Sequence, residues 1–198
     1  MSILPVIETK RLTLRPISMA DAKDIFHYAQ KDEVGPRAGW KPHESLRETR
    51  QFIQHALSKR HRGQPGVFAV VNHDSMKVVG TIEVHSFEEG YKGEIGMVLT
   101  PELWGQGLMV EASMAVMVYA FEMLNLTRLA YKHFSNNAAS RRLREKLGFT
   151  YEGCLRKSFK RFDGLVLDEH VSSFTDEDYF NRDKARFEAF KKTIDFSF

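Results

Sequence analysis

The stretch LTPELWGQGLMVEA, residues 99–112, constrains this chain more than any other. The residues before it, GEIGMVLT at 93–100, read as a strand. Those from Leu108 to about Leu124 read as a helix that is apolar on most sides, as a central buried helix would be. Gly105 and Gly107 therefore fall at a strand-to-helix junction. The first N–H groups of a helix have no intrahelical partner, and the macrodipole is positive there. Glycines let the backbone take φ > 0 and approach a ligand closely. Such a junction suits a phosphate or pyrophosphate. A dinucleotide fingerprint would need a third glycine where Val110 stands, and the strands nearby read as antiparallel. The Gly-Lys-Ser/Thr of a Walker loop is absent. By itself the junction fits either a phosphate cradle or a tight turn that holds nothing.

The elements around it alternate in type. RLTLRPI (11–17) reads as a strand, and Ser18 with Asp21 opens a helix carrying Ile25 and Phe26. GPRAGWKPH (35–43) is a breaker-rich loop, after which Ser45 and Glu48 form a capping box for a second helix. Strands follow at 67–72, 77–87 and 93–100, then the buried helix, a strand at 127–134 and a helix ended by Gly148. Two further strands at about 151–159 and 166–174 precede a last helix opened by Thr175 and Asp178. This is a mixed α/β chain, read as one domain over 1–198 with a helical extension from about residue 175.

Composition limits the function classes. Apolar residues at 42% and charged residues at 28% suit a soluble core, and no apolar run approaches the roughly 20 residues of a membrane span. The opening MSILPVIETKRL lacks a secretory pattern, and Cys154 is the only cysteine, so a cytoplasmic location and a small buried thiol are expected. A net charge of +3 permits an acidic ligand but does not argue for a nucleic-acid protein. The eight histidines keep no ligand spacing, so no metal is expected.

A second motif, NNAASRRLREKLGFTYEG, begins some 30 residues after PELWGQGLMVEA. Asn137, Ser140, Leu143, Gly148 and Phe149 match the N-x-x-S/A…LGF segment of the GNAT acetyltransferases. With ETKRLTLRPI, GTIEV, EIGMVL, YEGCLRKSF and DEHVSSFTDEDY, the chain resembles the RimJ/RimL branch over roughly residues 8 to 180. The resemblance implies a mostly antiparallel sheet of about seven strands flanked by helices. It implies that residues 93–100 and 128–134 splay apart to hold acetyl-CoA. Pantetheine would meet the backbone at Val98 and Leu99 and the side chain of Asn137. The pyrophosphate would rest on Trp104, Gly105, Gln106, Gly107, Leu108 and Met109. Met109 stands where a small residue is usual.

The same resemblance implies direct transfer of an acetyl group to a primary amine, either a protein N-terminus or a small molecule. Many members use a tyrosine where this chain has Arg144, which cannot act as an acid near neutrality. RimL-type members use the serine that is Ser140 here. Their strand glutamate falls on Phe159; other GNAT members carry a base glutamate early in the strand before the loop, which the resemblance places at Glu94, with Glu83 in the neighbouring strand in reserve. An α-amine of pKa near 7.7–8 is roughly a tenth neutral at pH 7, a lysine side chain less than about a thousandth. A weak base therefore suffices for an N-terminal or other low-pKa amine. Trp40 is positioned to stack on an acceptor and His43 to take a proton, although a packed Trp and a helix-start His are the plainer roles. A homodimer fits the resemblance, and a silent acyl-CoA-binding module is the alternative.

Overall fold

The structure, a computed structural model, describes residues 4–61 and 63–198. Its centre is a nine-stranded sheet: β1 (Val6–Glu8), β2 (Leu12–Pro16), β3 (Val67–Asn72), β4 (Lys77–Glu88), β5 (Lys92–Leu99), β6 (Arg128–Phe134), β7 (Thr150–Lys160), β8 (Val166–Thr175) and β9 (Asp195–Ser197). The spatial order is β7-β8-β6-β5-β4-β3-β2-β1-β9, and every adjacent pair is antiparallel except β5 with β6. The expected seven strands become nine because β1 and β9 are three residues each, too short to show a period. They pair with each other, Ile7 opposite Phe196, and extend the sheet beyond β2. The segment after 175 is thus not wholly helical: a π-helical turn (Asp178–Arg182) leads to α6 (Lys184–Lys191) and then to β9.

The helices are α1 (Ala22–Ala29), α2 (Gly35–Ala38), α3 (Leu46–His61), α4 (Leu108–Val118), α5 (Ala138–Leu147) and α6. Alternation along the strands sorts the core into two layers. Ile82, Val84, Ile95, Leu99 and Leu129 face α4, α5 and α6, whereas Ala69, Val71 and Val78 face α1 and α3. α4 is buried on nearly all sides, as its sequence indicates, and it continues as a π-helical turn (Tyr119–Met123) rather than as α-helix. The breaker-rich loop contains one helical turn, α2, ended by Gly39 at φ 91°.

Capping follows the sequence. Thr175 and Asp178 bond each other's backbone N–H at 2.9 and 3.2 Å, and Gly148 ends α5 at φ 85°. Cys154 corrects an expectation: it is exposed, because β7 is an edge strand open along nearly its whole length. Among the described residues, no helix is long and apolar enough to cross a membrane.

Candidate active site

Strands β5 and β6 pair only at Lys92–Arg128, Gly93–Leu129 and Glu94–Ala130. Beyond Glu94 each strand keeps only its outer neighbour, β4 or β8, and a wedge opens between them. A Cβ at Gly80 would lie 2.3 Å from the Val98 carbonyl oxygen, so the Val98 peptide groups face β4. Successive residues on a strand alternate, which turns those of Met97 and Leu99 toward the wedge. Trp104 Nε1 donates to the Leu99 carbonyl at 2.9 Å and closes one end of it.

The two glycines lie at the wide end. Gly105 and Gly107 have φ of 81° and 77°. A Cβ at Gly105 would meet nothing within 4 Å, so glycine is required there by backbone conformation, not by space. The turn aims the first amides of α4 into the wedge. It is braced from β2's approach: Arg11 Nη1 donates to the Gln106 carbonyl at 2.9 Å, and Arg11 Nε to Glu111 at 2.7 Å. Thr9 Oγ1 and the Arg11 N–H also donate to Glu111, at 2.7 and 2.9 Å. Burial pushes the Glu111 carboxyl up, but these bonds outweigh it and hold it below its ordinary pKa. Met109 is only 9% exposed and packs in the core while also bordering the wedge.

These parts line a cavity of about 350 Å³, together with Val98, Leu99, Asn137 and Ser140. Gln106 does not line it; its carbonyl is occupied by Arg11. Asn137 caps α5, its Oδ1 accepting from the Ser140 N–H at 3.1 Å, and its Nδ2 donates to the Arg37 carbonyl at 3.1 Å. The Ser140 hydroxyl lies 2.8 Å from that of Tyr131, a buried residue on β6. Burial pushes the Tyr131 hydroxyl up to about 12, against the opposing hydrogen bond to Ser140. It therefore remains a neutral donor near physiological pH. Of the basic residues on α5, Arg142 and Lys146 line the cavity, whereas Arg144 lies 5.7 Å from the Tyr151 ring centroid and pairs with Glu145.

A second cavity, of about 360 Å³, occupies the other face of the sheet and shares Ala38, Met97 and Val98 with the first. Trp40, His43 and Glu83 line it, as does His85, which the sequence reading passed over. His85 lies flat on Gly96, where a Cβ would come within 3.0 Å of the ring. His43 Nδ1 is 2.9 Å from Thr49 Oγ1, and burial holds His43 below its ordinary pKa against the attraction of Glu48. Glu83 pairs with Lys59 at 2.6 Å. Glu94 does not line the cavity: its carboxylate holds Lys132 at 2.8 Å and stands 3.8 Å from His85 Nε2. Phe159 also lies off the lining; its ring packs tilted against Phe134, centroids 4.9 Å apart, and sits under Gly39, so it supports the α2 turn.

Tyr131 and Arg37 were also missed. Tyr131 sits in an ordinary strand pattern, and nothing local marks its hydroxyl. Arg37 lies over the Trp104 ring at 5.0 Å, a pairing across 67 residues of chain that no local pattern shows.

The sequence signature of the acetyltransferase (GNAT) domain matches residues 11–150. The uncharacterised N-acetyltransferase YoaA of Bacillus subtilis (strain 168) is 35% identical over 174 residues, 86% of this chain and 97% of that protein. The ribosomal-protein-serine acetyltransferase of Escherichia coli (strain K12) is 28% identical over 116 residues, 58% of this chain and 64% of that one. In structure, a GNAT-family acetyltransferase from Bacillus anthracis superposes with a TM-score of 0.77 at 24% identity, covering 87% of this chain and 99% of that one. The splayed strands, the glycine turn and this matched signature together establish that the chain belongs to the GNAT family of acetyltransferases.

Proposed function

We propose that this enzyme carries the acetyl group of acetyl-CoA to a primary amine by direct attack across the septum at Met97 and Val98. One observation carries the reading: two cavities, one bordered by backbone amides and one walled by side chains, meet at Met97, Val98 and Ala38. The first fits a nucleotide-tailed thioester. Its positive-φ turn and the open N-terminus of α4 suit a pyrophosphate, and Arg142 with Lys146 suits a further phosphate. Pantetheine would lie along the amide edge of β5, beside Asn137.

The roles follow from position. The N–H of Met97, facing the wedge, stabilises the developing oxyanion. Ser140 gives its proton to the departing thiolate, and Tyr131, bonded to it, keeps its hydroxyl oriented. Amine and thioester are held together by the two walls, which supplies much of the rate through positioning. For the base, the His85 imidazole lines the acceptor cavity, and Glu94, 3.8 Å from its Nε2, acts behind it by positioning the ring. Glu83 stays in reserve because Lys59 occupies it.

The test is calorimetric titration with acetyl-CoA followed by thiol release over a panel of amines. Binding with thiol release is expected. Heat of binding without thiol from any amine turns the reading to a silent acyl-CoA-binding module, and no heat at all overturns it.

A further inference from the structure

We infer that the acceptor is a monoamine whose amine is carried on a bulky apolar body, and that polyamines are excluded. This rests on the transferase reading above and concerns the second cavity alone. Its walls are largely apolar: Ile25, Ala29, Trp40, Phe52 and Val98 line it, beside the buried Tyr28. At about 360 Å³ it has room for an aromatic or branched aliphatic body, and a lone methyl or hydroxymethyl group would leave most of it unfilled.

The charges point the same way. The acid on the cavity lining, Glu83, is already matched by Lys59 at 2.6 Å; off the lining, Glu94 is matched by Lys132 at 2.8 Å and Glu44 by Lys41 at 2.5 Å. His43 is kept neutral by burial. Among the described residues, then, no unmatched carboxylate is on the lining to receive a second ammonium. A cation taken from water into such a site without a partner is strongly disfavoured. One amine suffices, since it is consumed in neutral form when its nitrogen bonds to the acetyl carbon. The carbon–sulfur bond breaks, the thiolate takes the Ser140 proton, and the amine's own proton passes to His85 and from there through solvent to restore the Ser140 hydroxyl.

The same chemistry has two sources: a free arylalkylamine, or the first residue of a peptide that begins with an aromatic or branched side chain. The experiment compares kcat/KM for thiol release with phenethylamine, a Phe-initiated peptide, a Ser-initiated peptide and spermidine. At least one apolar amine is expected to exceed both the Ser-initiated peptide and spermidine by about ten-fold or more. Which of the two leads identifies the source. Lys59→Met, which frees Glu83, is expected to raise the spermidine-to-phenethylamine ratio by about five-fold. A preference for spermidine or the Ser-initiated peptide in the native enzyme overturns the inference and leaves the transferase reading intact. Acetyl-CoA binding without thiol from any of the four amines overturns both.

Discussion

The two cavities are nearly equal in volume and are built in different ways. The first is bordered by main chain: the open edge of β5, a positive-φ turn and the first amides of α4. The second is made of side chains that α1, α3, β4 and β5 bring from distant parts of the chain. A main-chain site is tolerant of side-chain identity except where glycine sets the path. A side-chain site changes with each residue that walls it. The expectation is a donor side that resists most substitutions and an acceptor side that drifts with them.

The largest effect should come at the hydroxyl on the first cavity's wall. Ser140→Ala is expected to lower kcat about 100-fold with acetyl-CoA affinity unchanged, measured by steady-state thiol release and calorimetry. An unaltered kcat would remove Ser140 from the chemistry. Next, Gly107→Val forces a β-branched residue into φ 77°, which is strained and re-aims the α4 amides. Acetyl-CoA affinity should fall about 10-fold or more while the preference among acceptors is kept. If that preference shifts as well, the two sides are not separable.

Tyr131→Phe should lower kcat about five-fold, with KM for both substrates retained, since only the orientation of the Ser140 hydroxyl is lost. A change in KM alone would make Tyr131 a packing residue. The smallest effect concerns pH. His43 has a folded pKa below its ordinary value, so its neutral form contributes stability above about pH 6.5 that is lost as pH falls through the lower folded value. Thermal melts from pH 7.5 to 5 should show His43→Gln with a shallower acid loss than the native chain. Equal slopes would mean that His43 is not constrained in the wall.

The contrast also explains what could be read in advance. The donor side announces itself because its requirement is local: glycine at 105 and 107, an N-cap at Asn137 and a C-cap at Gly148 are each fixed by one backbone angle or one hydrogen bond. Glu94 is the instructive case on the other side. Its place on the strand before the turn was legible, but its partner, Lys132, lies on a neighbouring strand that is parallel there for only three residue pairs. That pairing takes its carboxylate, and His85 takes the position at the cavity. Cys154 was misjudged for a similar reason, since a strand's place at the sheet edge is not written in its own residues.

The sequence by itself determined the order of elements, the buried α4 and the turn that aims its amides, because capping, periodicity and φ are properties of neighbours along the chain. The tertiary structure alone decided the rest: how far β5 and β6 stay together, which lysine neutralises which carboxylate, that Tyr131 reaches Ser140, and that Arg37 of α2 meets Asn137 and Trp104. Those depend on contacts between residues dozens of positions apart, where packing and charge pairing select among partners that no local pattern ranks.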